Sequence, residues 1–439
     1  MRKVLIANRG EIADRIIRTC RRLNIETVAV YSEADKELPY IKKADQAVCI
    51  GKPPAQKSYM NQEAILKAAK QTGADAIHPG YGFLSENAGF VRAVDSLGLT
   101  FIGPDAEVVA LMGDKIRARE TMKQAGVPIV PGSGGAVDVE GAKAVAETIG
   151  YPVMLKASAG GGGIGMQLCR NEEQLIKAFA SNQARARTYF GDSKMFVEKA
   201  VENGRHIEVQ IFGDFFGHIV HLYERDCSVQ RRHQKVIEES PSPFISEKTR
   251  KAITDAAVKA AKFVNYKNAG TVEFIMDEEE NFYFLEMNTR LQVEHPVTEM
   301  QTGLDLVEWQ LMVADGQKLP LQQSDITYKG HSMEFRLYAE DPETFLPSPG
   351  RLTAFAFPDI EGVRIDAGYE AGLSVTPYYD PMIAKIIVSG YDREDVLRKA
   401  ARLFNECDIK GIKTNYPLFA KLVQSGDFYK GQYTTRLLK

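Results

Sequence analysis

The sequence predicts a multidomain protein of mixed α/β and α+β class, and two observations support this fold class. The N-terminal part alternates short apolar strands with amphipathic helices, a pattern typical of a Rossmann-like domain. From about residue 330 strand patterns dominate, which favours a mainly antiparallel β domain at the C-terminal end. At 439 residues the chain is long enough for two or three domains and a large core.

Composition excludes several classes of function. The net charge of −3 provides no basic footprint, so neither nucleic acid nor an anionic membrane is expected as a partner. The five cysteines are scattered and form no Cys-x-x-Cys pair, which argues against a disulfide framework and against a zinc site. The apolar run at the N-terminus is too short for a signal peptide, and no later run reaches the length of a membrane span. We therefore expect a cytoplasmic protein.

The N-terminal domain is predicted at residues 1–112 and opens with a strand, a helix and a second strand. The first connecting turn, NRGE, lacks the GxGxxG fingerprint, so a dinucleotide is not implied. The segment HPGYGFLSEN at 78–87 follows a strand, where open α/β sheets bind ligands; a tight connection is the alternative. The predicted elements are strands at 3–7, 27–31, 47–50, 76–79 and in LTFIG, and helices at 11–22, 61–72 and 86–97.

A second domain is predicted at 113–318. A helical pattern over 105–125 is interrupted by GDK, where Lys115 is either a surface lysine or a phosphate contact. Beyond a turn-rich linker and a helix, the strand YPVMLKAS places Lys156 in a half-buried position, where a lysine requires an anionic partner.

The segment AGGGGIGM follows that strand and matches two nucleotide-binding patterns only formally. Met166 stands where a P-loop needs lysine, and MQLC predicts a strand where a dinucleotide fold needs a helix. Strand, glycine loop and strand together predict a hairpin lid whose backbone N–H groups can approach phosphates. A flexible surface loop is the alternative.

The next segment predicts a hairpin at 206–224 and then a cluster of basic residues. This cluster is either a solvated basic loop or a receptor for a triphosphate or a carboxylated intermediate. Its members are Arg225, Arg231, Arg232, His233 and Lys235.

The most informative stretch pairs TVEFIM at 271–276 with LEMNTRLQVEHPVTE at 285–299 around the polar turn DEEEN, which predicts a β-hairpin. Glu273 then lies opposite Glu286 with side chains about 5 Å apart, a pairing that is repulsive unless a cation lies between them. A hard divalent ion such as Mg²⁺ suits carboxylate and amide oxygens.

Strand periodicity places five polar side chains of this hairpin on one face. Arg290 offers a planar fork to a small oxyanion, and Glu294 is a candidate base beside it. A solvated edge strand of mixed charge is the alternative, but five alternating polar residues with a partner carboxylate favour a functional site. The five are Glu286, Asn288, Arg290, Gln292 and Glu294.

The last domain is predicted at 330–439, with strands in HSMEFRLYAED, LTAFAFP, GVRIDAG and MIAKIIVSG and a helix at 392–405. Arg336 alternates with Glu334 and Tyr338 on the first strand. It is either an ion-pair partner or a substrate contact.

Taken together, these motifs resemble the biotin carboxylase family, the ATP-grasp component of biotin-dependent carboxylases. The resemblance implies a pre-ATP-grasp domain, an ATP-grasp fold with a mobile lid at about 131–203, and a biotin carboxylase C-terminal domain. The matching motifs span nearly the whole chain: IANRGEIA, HPGYGFLSEN, MGDK, KAS.GGGG.GM, ERDCSVQRRHQK, EMNTRLQVEHPVTE, AEDP.TFLPSPG and GIKTN.

The resemblance assigns the nucleotide site residue by residue. The residues implied for the phosphates or ribose of ATP are Lys115, Lys156, Gly162, Gly163 and His206. Those implied at or near adenine are Glu198, Lys199, Val201, Gln230, His233 and Lys235. Two Mg²⁺ or Mn²⁺ ions would be bound by Glu273, Glu286 and Asn288.

The resemblance also assigns the chemistry. Bicarbonate would be held by Arg290, Gln292 and Val293, with Glu294 as its general base. Arg336 would stabilise the enolate-like ureido oxygen of biotin, and Lys235 is counted with the catalytic residues. ATP would phosphorylate bicarbonate to carboxyphosphate, whose collapse supplies CO₂ to biotin while the released phosphate takes the N1′ proton.

Two further features bear on this interpretation. Ile164 replaces the basic residue that is usual in the family's glycine loop, and Gly204 stands where proline is common. The chain has no Met-Lys-Met biotinylation site, since Met122 and Lys123 are followed by Gln124. We therefore expect biotin on a separate biotin carboxyl carrier protein, a carboxyltransferase subunit for the second half-reaction, and, from the resemblance, a homodimer.

Two other functions are considered. One is an ATP-grasp ligase with a different acceptor, such as those of purine synthesis, against which the Arg290–Glu294 segment and Arg336 argue. The other is a non-catalytic nucleotide-binding regulator, which Ile164 would suit and the intact acidic residues oppose. The final carboxyl acceptor, whether acetyl-CoA for fatty acid synthesis, another acyl-CoA or pyruvate, is not specified by this sequence.

Overall fold

The computed structural model describes residues 1–158 and 165–438, and its first unit is the predicted Rossmann-like α/β domain. Its five strands are all parallel, in the order β3-β2-β1-β4-β5. The bounds are β1 Lys3–Ile6, α1 Gly10–Arg22, β2 Glu26–Ser32, α2 Pro39–Lys43, β3 Gln46–Gly51, α3 Gln62–Thr72, β4 Ala76–His78, α4 Ala88–Ser96, β5 Thr100–Phe101 and α5 Ala106–Gly113.

A small α+β unit follows and contains the predicted strand, glycine loop and strand. The strands that flank the loop pair antiparallel, and the described part of this sheet has the order β7-β6-β8. The loop itself, with Gly162, Gly163 and Ile164, lies outside the described residues. The bounds are α6 Lys115–Gln124, α7 Val139–Ile149, β6 Val153–Ala157, β7 Met166–Cys169, α8 Glu172–Phe190 and β8 Met195–Lys199.

A large antiparallel sheet forms the rest of the middle of the chain. It contains both predicted hairpins, β9 with β10 and β12 with β13. The bounds are β9 Arg205–Gly213, β10 Ile219–Arg231, β11 Gln234–Ser240, α9 Glu247–Phe263, β12 Asn268–Met276, β13 Phe282–Asn288, α10 His295–Thr302 and α11 Leu306–Ala314.

The C-terminal segment is antiparallel, as predicted, but its long strands do not form a separate sheet. They extend the sheet of the preceding segment, whose order across the described residues is β13-β12-β9-β10-β11-β14-β19-β17. The bounds are β14 His331–Tyr338, β15 Gly350–Arg351, β16 Ala354–Ala356, β17 Val363–Ala367, β18 Ser374–Val375, β19 Met382–Gly390, α12 Arg393–Glu406, β20 Asp408–Lys410, α13 Tyr416–Leu422 and α14 Gly426–Tyr429. None of the helices in the described ranges has the length and apolar character needed to cross a membrane.

The prediction of one continuous strand over 285–299 is wrong beyond Asn288. Strand β13 ends there, residues 289–294 form a loop, and α10 begins at His295 with Pro296 in its first turn. Proline favours the first helical turn because it has no N–H to donate and its φ angle is already helical. The alternation of side chains therefore does not extend through Arg290, Gln292 and Glu294.

Glu239 ties together four parts of the C-terminal half. Its fully buried carboxylate accepts hydrogen bonds from Arg393 of α12 and from Tyr433, and lies 2.5 Å from the His331 ring. Burial alone would raise its pKa, but His331 and Arg393 lower the pKa to about 2, from an ordinary value of 4.5. Because the folded chain has the lower pKa, this stability is present above about pH 4.5 and is lost as the pH falls towards 2.

Replacing Glu239 with glutamine is expected to lower the free energy of unfolding at neutral pH by about 3 kcal/mol, at 1.36 kcal/mol per unit of pKa. Urea unfolding at neutral and at acid pH measures the effect, which must shrink as the pH falls. The exposed Glu107, which pairs with Arg92, is the control, and its glutamine variant should stay within about 0.5 kcal/mol. A pH-independent loss in Glu239→Gln would contradict the charge argument.

Candidate active site

A cleft of about 370 Å³ lies between the small α+β unit and the large sheet. Its walls contain most of the residues that the sequence singled out: Lys115, Lys156, Glu198, His206, Gln230, His233, Lys235, Glu273, Glu286, Asn288, Arg290, Gln292, Val293 and Arg336. Glu294 does not line the cleft and is fully buried beneath it. The positions are brought together from segments that are far apart in the sequence.

A row of charged side chains crosses four neighbouring strands at the floor of this cleft. The predicted pairing of Glu273 with Glu286 is confirmed by the strand register, and Glu208 of β9 lies opposite Glu273 on its other side. Arg225 of β10 lies opposite Glu208, and its Nε is 2.5 Å from a Glu208 oxygen. Glu208 was not predicted; the signal that could have found it is its alternation with His206 and Gln210 along β9.

Glu273 is the most heavily engaged of these acids. Its Oε1 accepts hydrogen bonds from Lys235 Nζ at 2.8 Å, Asn288 Nδ2 at 2.8 Å and Gln292 Nε2 at 2.9 Å. His206 Nε2 lies 2.8 Å from its other oxygen. Burial opposes ionisation, but Lys235 and His206 hold the pKa of Glu273 well below its ordinary value.

Glu286 is in the opposite situation. Burial and the negative charge of Glu273 raise the pKa of the Glu286 carboxyl. A bound cation would relieve that repulsion, and the oxygens of Glu273, Glu286 and Asn288 are the donors that Mg²⁺ prefers. The chemistry of this donor set therefore fits a divalent metal ion that also contacts substrate phosphates.

In the loop after Asn288, hydrogen bonds and not strand alternation hold the polar side chains together. Arg290 acts as a clamp: Nη2 donates to Asn288 Oδ1 at 2.9 Å and Nη1 donates to Gln292 Oε1 at 2.7 Å. Its Nε donates to Glu86 Oε2 at 2.9 Å, and Glu86 also accepts from the backbone N–H of Thr289 at 3.1 Å. Glu86 was not predicted, although the segment that contains it, 78–87, was predicted to lie at a ligand-binding edge.

Lys235 is a hub between three carboxylates. Its ammonium lies 2.6 Å from Glu208, 2.8 Å from Glu273 and 2.7 Å from Glu294. Burial would lower the pKa of this lysine, but the three carboxylates raise the pKa well above its ordinary value. Lys235 is therefore a permanent positive charge in the centre of the acidic cluster.

Arg336 forms an ion pair and also faces the cleft. Its position therefore fits both roles that the sequence left open, ion-pair partner and substrate contact. Its Nη2 donates to Glu294 Oε2 at 2.9 Å and its Nε donates to Glu238 Oε1 at 2.6 Å. Burial raises the pKa of Glu294, but Lys235, Arg336 and Arg225 together hold it far below the ordinary range. Glu294 is therefore a carboxylate, and not an acid, at neutral pH.

The basic segment is solvated only in part, since Arg232 and His233 are exposed at a turn while its other members are buried or half-buried. Arg225 is fully buried, and Arg231 is paired with Glu340 at 3.0 Å. Strands β10 and β11 form a tight hairpin in which Arg232 and His233 both have positive φ angles, of 49° and 69°. Such a turn directs Lys235 back over the sheet, towards the acids.

An adjoining pocket of about 290 Å³ lies between the sheet of β6, β7 and β8 and the hairpin of β12 and β13. The predicted Lys199 and Val201 line it, together with Met154, Leu168 and Ile275. Apolar side chains in the wall, with polar groups at the rim, suit an aromatic base. The pocket and the charged cleft share Lys156, Glu198, His206, Gln230 and His233 in their walls.

The anionic partner that Lys156 requires is Glu198, whose Oε2 lies 2.5 Å from the ammonium. Arg119, which was not predicted, donates to the other Glu198 oxygen at 2.7 Å and also lines the cleft. Lys199 is directed differently, since its ammonium donates to the backbone carbonyls of Gly150 and Tyr151 at 2.9 and 3.0 Å. Gln230 lies 2.7 Å from the His206 ring and orients it.

Three protein-family models match the chain in order. They are "Biotin carboxylase, N-terminal domain" over residues 1–109, "Carbamoyl-phosphate synthase L chain, ATP binding domain" over 114–322, and "Biotin carboxylase C-terminal domain" over 334–439. A biotin carboxylase of Halalkalibacterium halodurans is 59% identical to this chain over 99% of its length and 96% of the relative's.

Solved structures give the same result. A biotin carboxylase β,γ-ATP complex from Campylobacter jejuni has a TM-score of 0.98 and 49% identity, covering 100% of this chain and 98% of that one. The biotin carboxylase domain dimer of Hydrogenobacter thermophilus 2-oxoglutarate carboxylase, in complex with MgADP, ADP and bicarbonate, has a TM-score of 0.97 and 48% identity, covering 100% and 97%. Together with the cleft described above, these matches show that the chain belongs to the biotin carboxylase family, whose activity is the ATP-dependent carboxylation of biotin.

Proposed function

We propose that this chain carboxylates biotin carried on a separate biotin carboxyl carrier protein, and that it uses ATP and bicarbonate through carboxyphosphate. The products are ADP, phosphate and N-carboxybiotin. The observation that carries this proposal is the single cleft in which opposed acids meet Arg290, Lys235 and Arg336, with Glu294 beneath them. Acids for metal ions, an oxyanion fork and a base are the parts that this reaction needs.

ATP binds, in this proposal, with adenine in the pocket of about 290 Å³ that adjoins the cleft and with its phosphates in the charged cleft. Lys115, Lys156 and His206 contact the phosphates, and the predicted contacts at Gly162 and Gly163 remain part of the proposal. Glu273, Glu286 and Asn288 would hold two Mg²⁺ or Mn²⁺ ions, which would supply positive charge to the phosphates of ATP. The part of the small α+β unit that falls within the predicted lid at about 131–203 closes over the site and keeps water from the reactive intermediate.

Bicarbonate occupies the loop after β13, between Arg290, Gln292 and Val293. Glu294 accepts the proton of bicarbonate, and Lys235, whose ammonium lies 2.7 Å from Glu294, holds that carboxylate in place. The same cations that keep Glu294 ionised also make it a weak base. The negative charge of the bound phosphates offsets the positive charge of Lys235, so that Lys235 stabilises the Glu294 carboxylate less. The pKa of Glu294 therefore rises, and Glu294 becomes an effective base only when nucleotide is present.

Biotin approaches from a second pocket, of about 390 Å³, on the other side of Arg336. This pocket and the cleft share Gln234, Arg290, Val293 and Arg336 in their walls, so an acceptor there lies beside the bicarbonate loop. The guanidinium of Arg336 stabilises the enolate-like ureido oxygen that forms when N1′ loses its proton.

The assembly is also part of the proposal. Carboxyltransferase is supplied by another subunit, the chain forms a homodimer, and it works in the cytoplasm. The dimer of the Hydrogenobacter relative supports the proposed homodimer. All five cysteines are free thiols, which suits a reducing compartment. We retain the predicted domain division at 1–112, 113–318 and 330–439.

Phosphate release from ATP tests the proposal. It must require bicarbonate, Mg²⁺ and the intact chain, and free biotin must accelerate it. Release that is indifferent to bicarbonate would favour an ATP-grasp ligase with another acceptor, and nucleotide binding without turnover would favour the regulator. The homodimer is checked separately by light scattering.

Replacing Glu86 with glutamine is expected to raise the KM for bicarbonate by roughly tenfold, because one hydrogen-bonded charge partner of Arg290 is lost. The KM for ATP should change by less than about twofold, since Glu86 does not line the cleft or the adjoining pocket. Steady-state rates at varied bicarbonate measure both values. The exposed Glu107 is again the control, and equal increases in the two KM values would contradict this role for Glu86.

A further inference from the structure

Lys385 is a charged residue at the base of the site that the proposed chemistry does not use. It lies on β19 with 0% of its surface exposed. Its ammonium donates a hydrogen bond to the backbone carbonyl of Val293 at 2.8 Å and lies 3.1 Å from Glu11 Oε2. A buried ammonium is costly unless it is hydrogen-bonded and paired, so both contacts are needed to keep it there.

These contacts join three separate parts of the chain. Glu11 belongs to α1 of the N-terminal domain, Lys385 to the C-terminal extension of the large sheet, and Val293 to the loop between β13 and α10. The loop lies outside the sheet ladders, so side chains must hold it in place. Glu86 holds its first residue and Lys385 holds it near its end.

The carbonyl that Lys385 holds belongs to the peptide group between Val293 and Glu294. That group is planar, so fixing the direction of its C=O also fixes the direction in which the Glu294 Cα lies. One hydrogen bond therefore sets the relative position of a residue proposed to bind bicarbonate and the residue proposed to act as its base.

We propose that Lys385 is a positioning residue for the bicarbonate half-reaction, which it serves by fixing the Val293–Glu294 peptide from beneath the site. This inference rests on the proposed function of that loop. Displacement of reacting groups by about 1 Å can cost roughly 100-fold in rate, so a single misplaced peptide has a measurable effect. A buried ion pair adds little to stability by itself, and the position of the pair under the loop suits a role in geometry.

Charged groups approach Lys385 from several elements. Its cross-strand neighbours are Arg336 of β14 and Asp366 of β17, and directly opposed residues share a face of the sheet. Glu334, two residues before Arg336, lies on the same face and is fully buried. Among the described residues, Val293 is the one residue of the loop that Lys385 hydrogen-bonds, so this hydrogen bond is the link that a variant must remove.

The test compares Lys385→Met with Arg250→Met. Methionine keeps the unbranched apolar stem of lysine and removes the donor. Arg250 also pairs with a fully buried carboxylate, Glu224, but lies on α9 and does not line the cleft. We expect Lys385→Met to lower kcat/KM for bicarbonate in bicarbonate-dependent ATP cleavage by about 10- to 100-fold, with the KM for ATP changed by less than about twofold. Arg250→Met should lower thermal stability and leave the bicarbonate KM unchanged.

A second variant covers the case in which Lys385→Met does not fold. In the double variant Glu11→Gln, Lys385→Met, both buried charges are removed together, so neither is left without a partner. It must show the same bicarbonate defect, since the donor to Val293 is still absent. A bicarbonate KM and kcat at the level of the unchanged protein, in either variant, overturns the inference, and so does a parallel rise in the KM for ATP. If the unchanged protein itself cleaves ATP without bicarbonate, the proposed function fails and this inference fails with it.

Discussion

Replacing Glu294 with glutamine is expected to abolish bicarbonate-dependent ATP cleavage, a loss of about 100- to 10,000-fold for removal of a general base. Glutamine keeps the shape of the side chain and some of its hydrogen bonds to Lys235 and Arg336, but it cannot accept a proton. Nucleotide affinity should change by less than about threefold, because Glu294 lies beneath the cleft and not against the adenine pocket. Single-turnover phosphate release and nucleotide titration measure the two quantities.

Glu299 provides the matched control for this variant. It is a buried carboxylate on α10, five residues further along the chain, paired with Arg15 and Arg364 and absent from the walls of the cleft. Glu299→Gln should cost stability but leave ATP cleavage dependent on bicarbonate. If Glu294→Gln loses nucleotide affinity as much as rate, the assignment of Glu294 as base is wrong.

Local patterns were enough to predict the acidic hairpin, since a period of two and a polar turn specify which side chains face each other. The confirmed pairing of Glu273 with Glu286 came from this argument alone. The same period failed after Asn288, where a proline-led helix ended the strand. Arg290 restores the grouping by hydrogen bonds that alternation cannot predict.

Contacts between distant segments could not be predicted from local sequence patterns. Glu86 and Arg290 are 204 positions apart, and the register of neighbouring strands brings Glu208 beside Glu273. The extension of the large sheet by β14, β19 and β17 was missed for the same reason. These three strands were predicted individually, but which strand edge each one joins depends on the packing of the whole chain. The family resemblance supplied the residue roles that neither periodicity nor composition could give.

Replacing Arg336 with glutamine is expected to separate the two half-reactions. Biotin carboxylation should fall by about 100-fold or more, the typical cost of removing one donor from a developing oxyanion. Bicarbonate-dependent ATP cleavage should fall by less than about tenfold, because Lys235 and Arg225 still keep Glu294 ionised. The two rates are measured in parallel, as N-carboxybiotin formed and as phosphate released without biotin.

The pH dependence of the Arg336→Gln variant adds a second readout. Arg336 is one of the cations that lower the pKa of Glu294, so its removal must raise that pKa. The acid limb of the ATP-cleavage profile should therefore move to higher pH. Arg364→Gln is the control, since Arg364 lies in a buried ion pair with Asp366 on the same sheet and outside the cleft; it should change neither rate nor profile. Equal loss of both activities in Arg336→Gln would show that Arg336 serves mainly to hold Glu294, because only contact with biotin predicts selective damage to the second step.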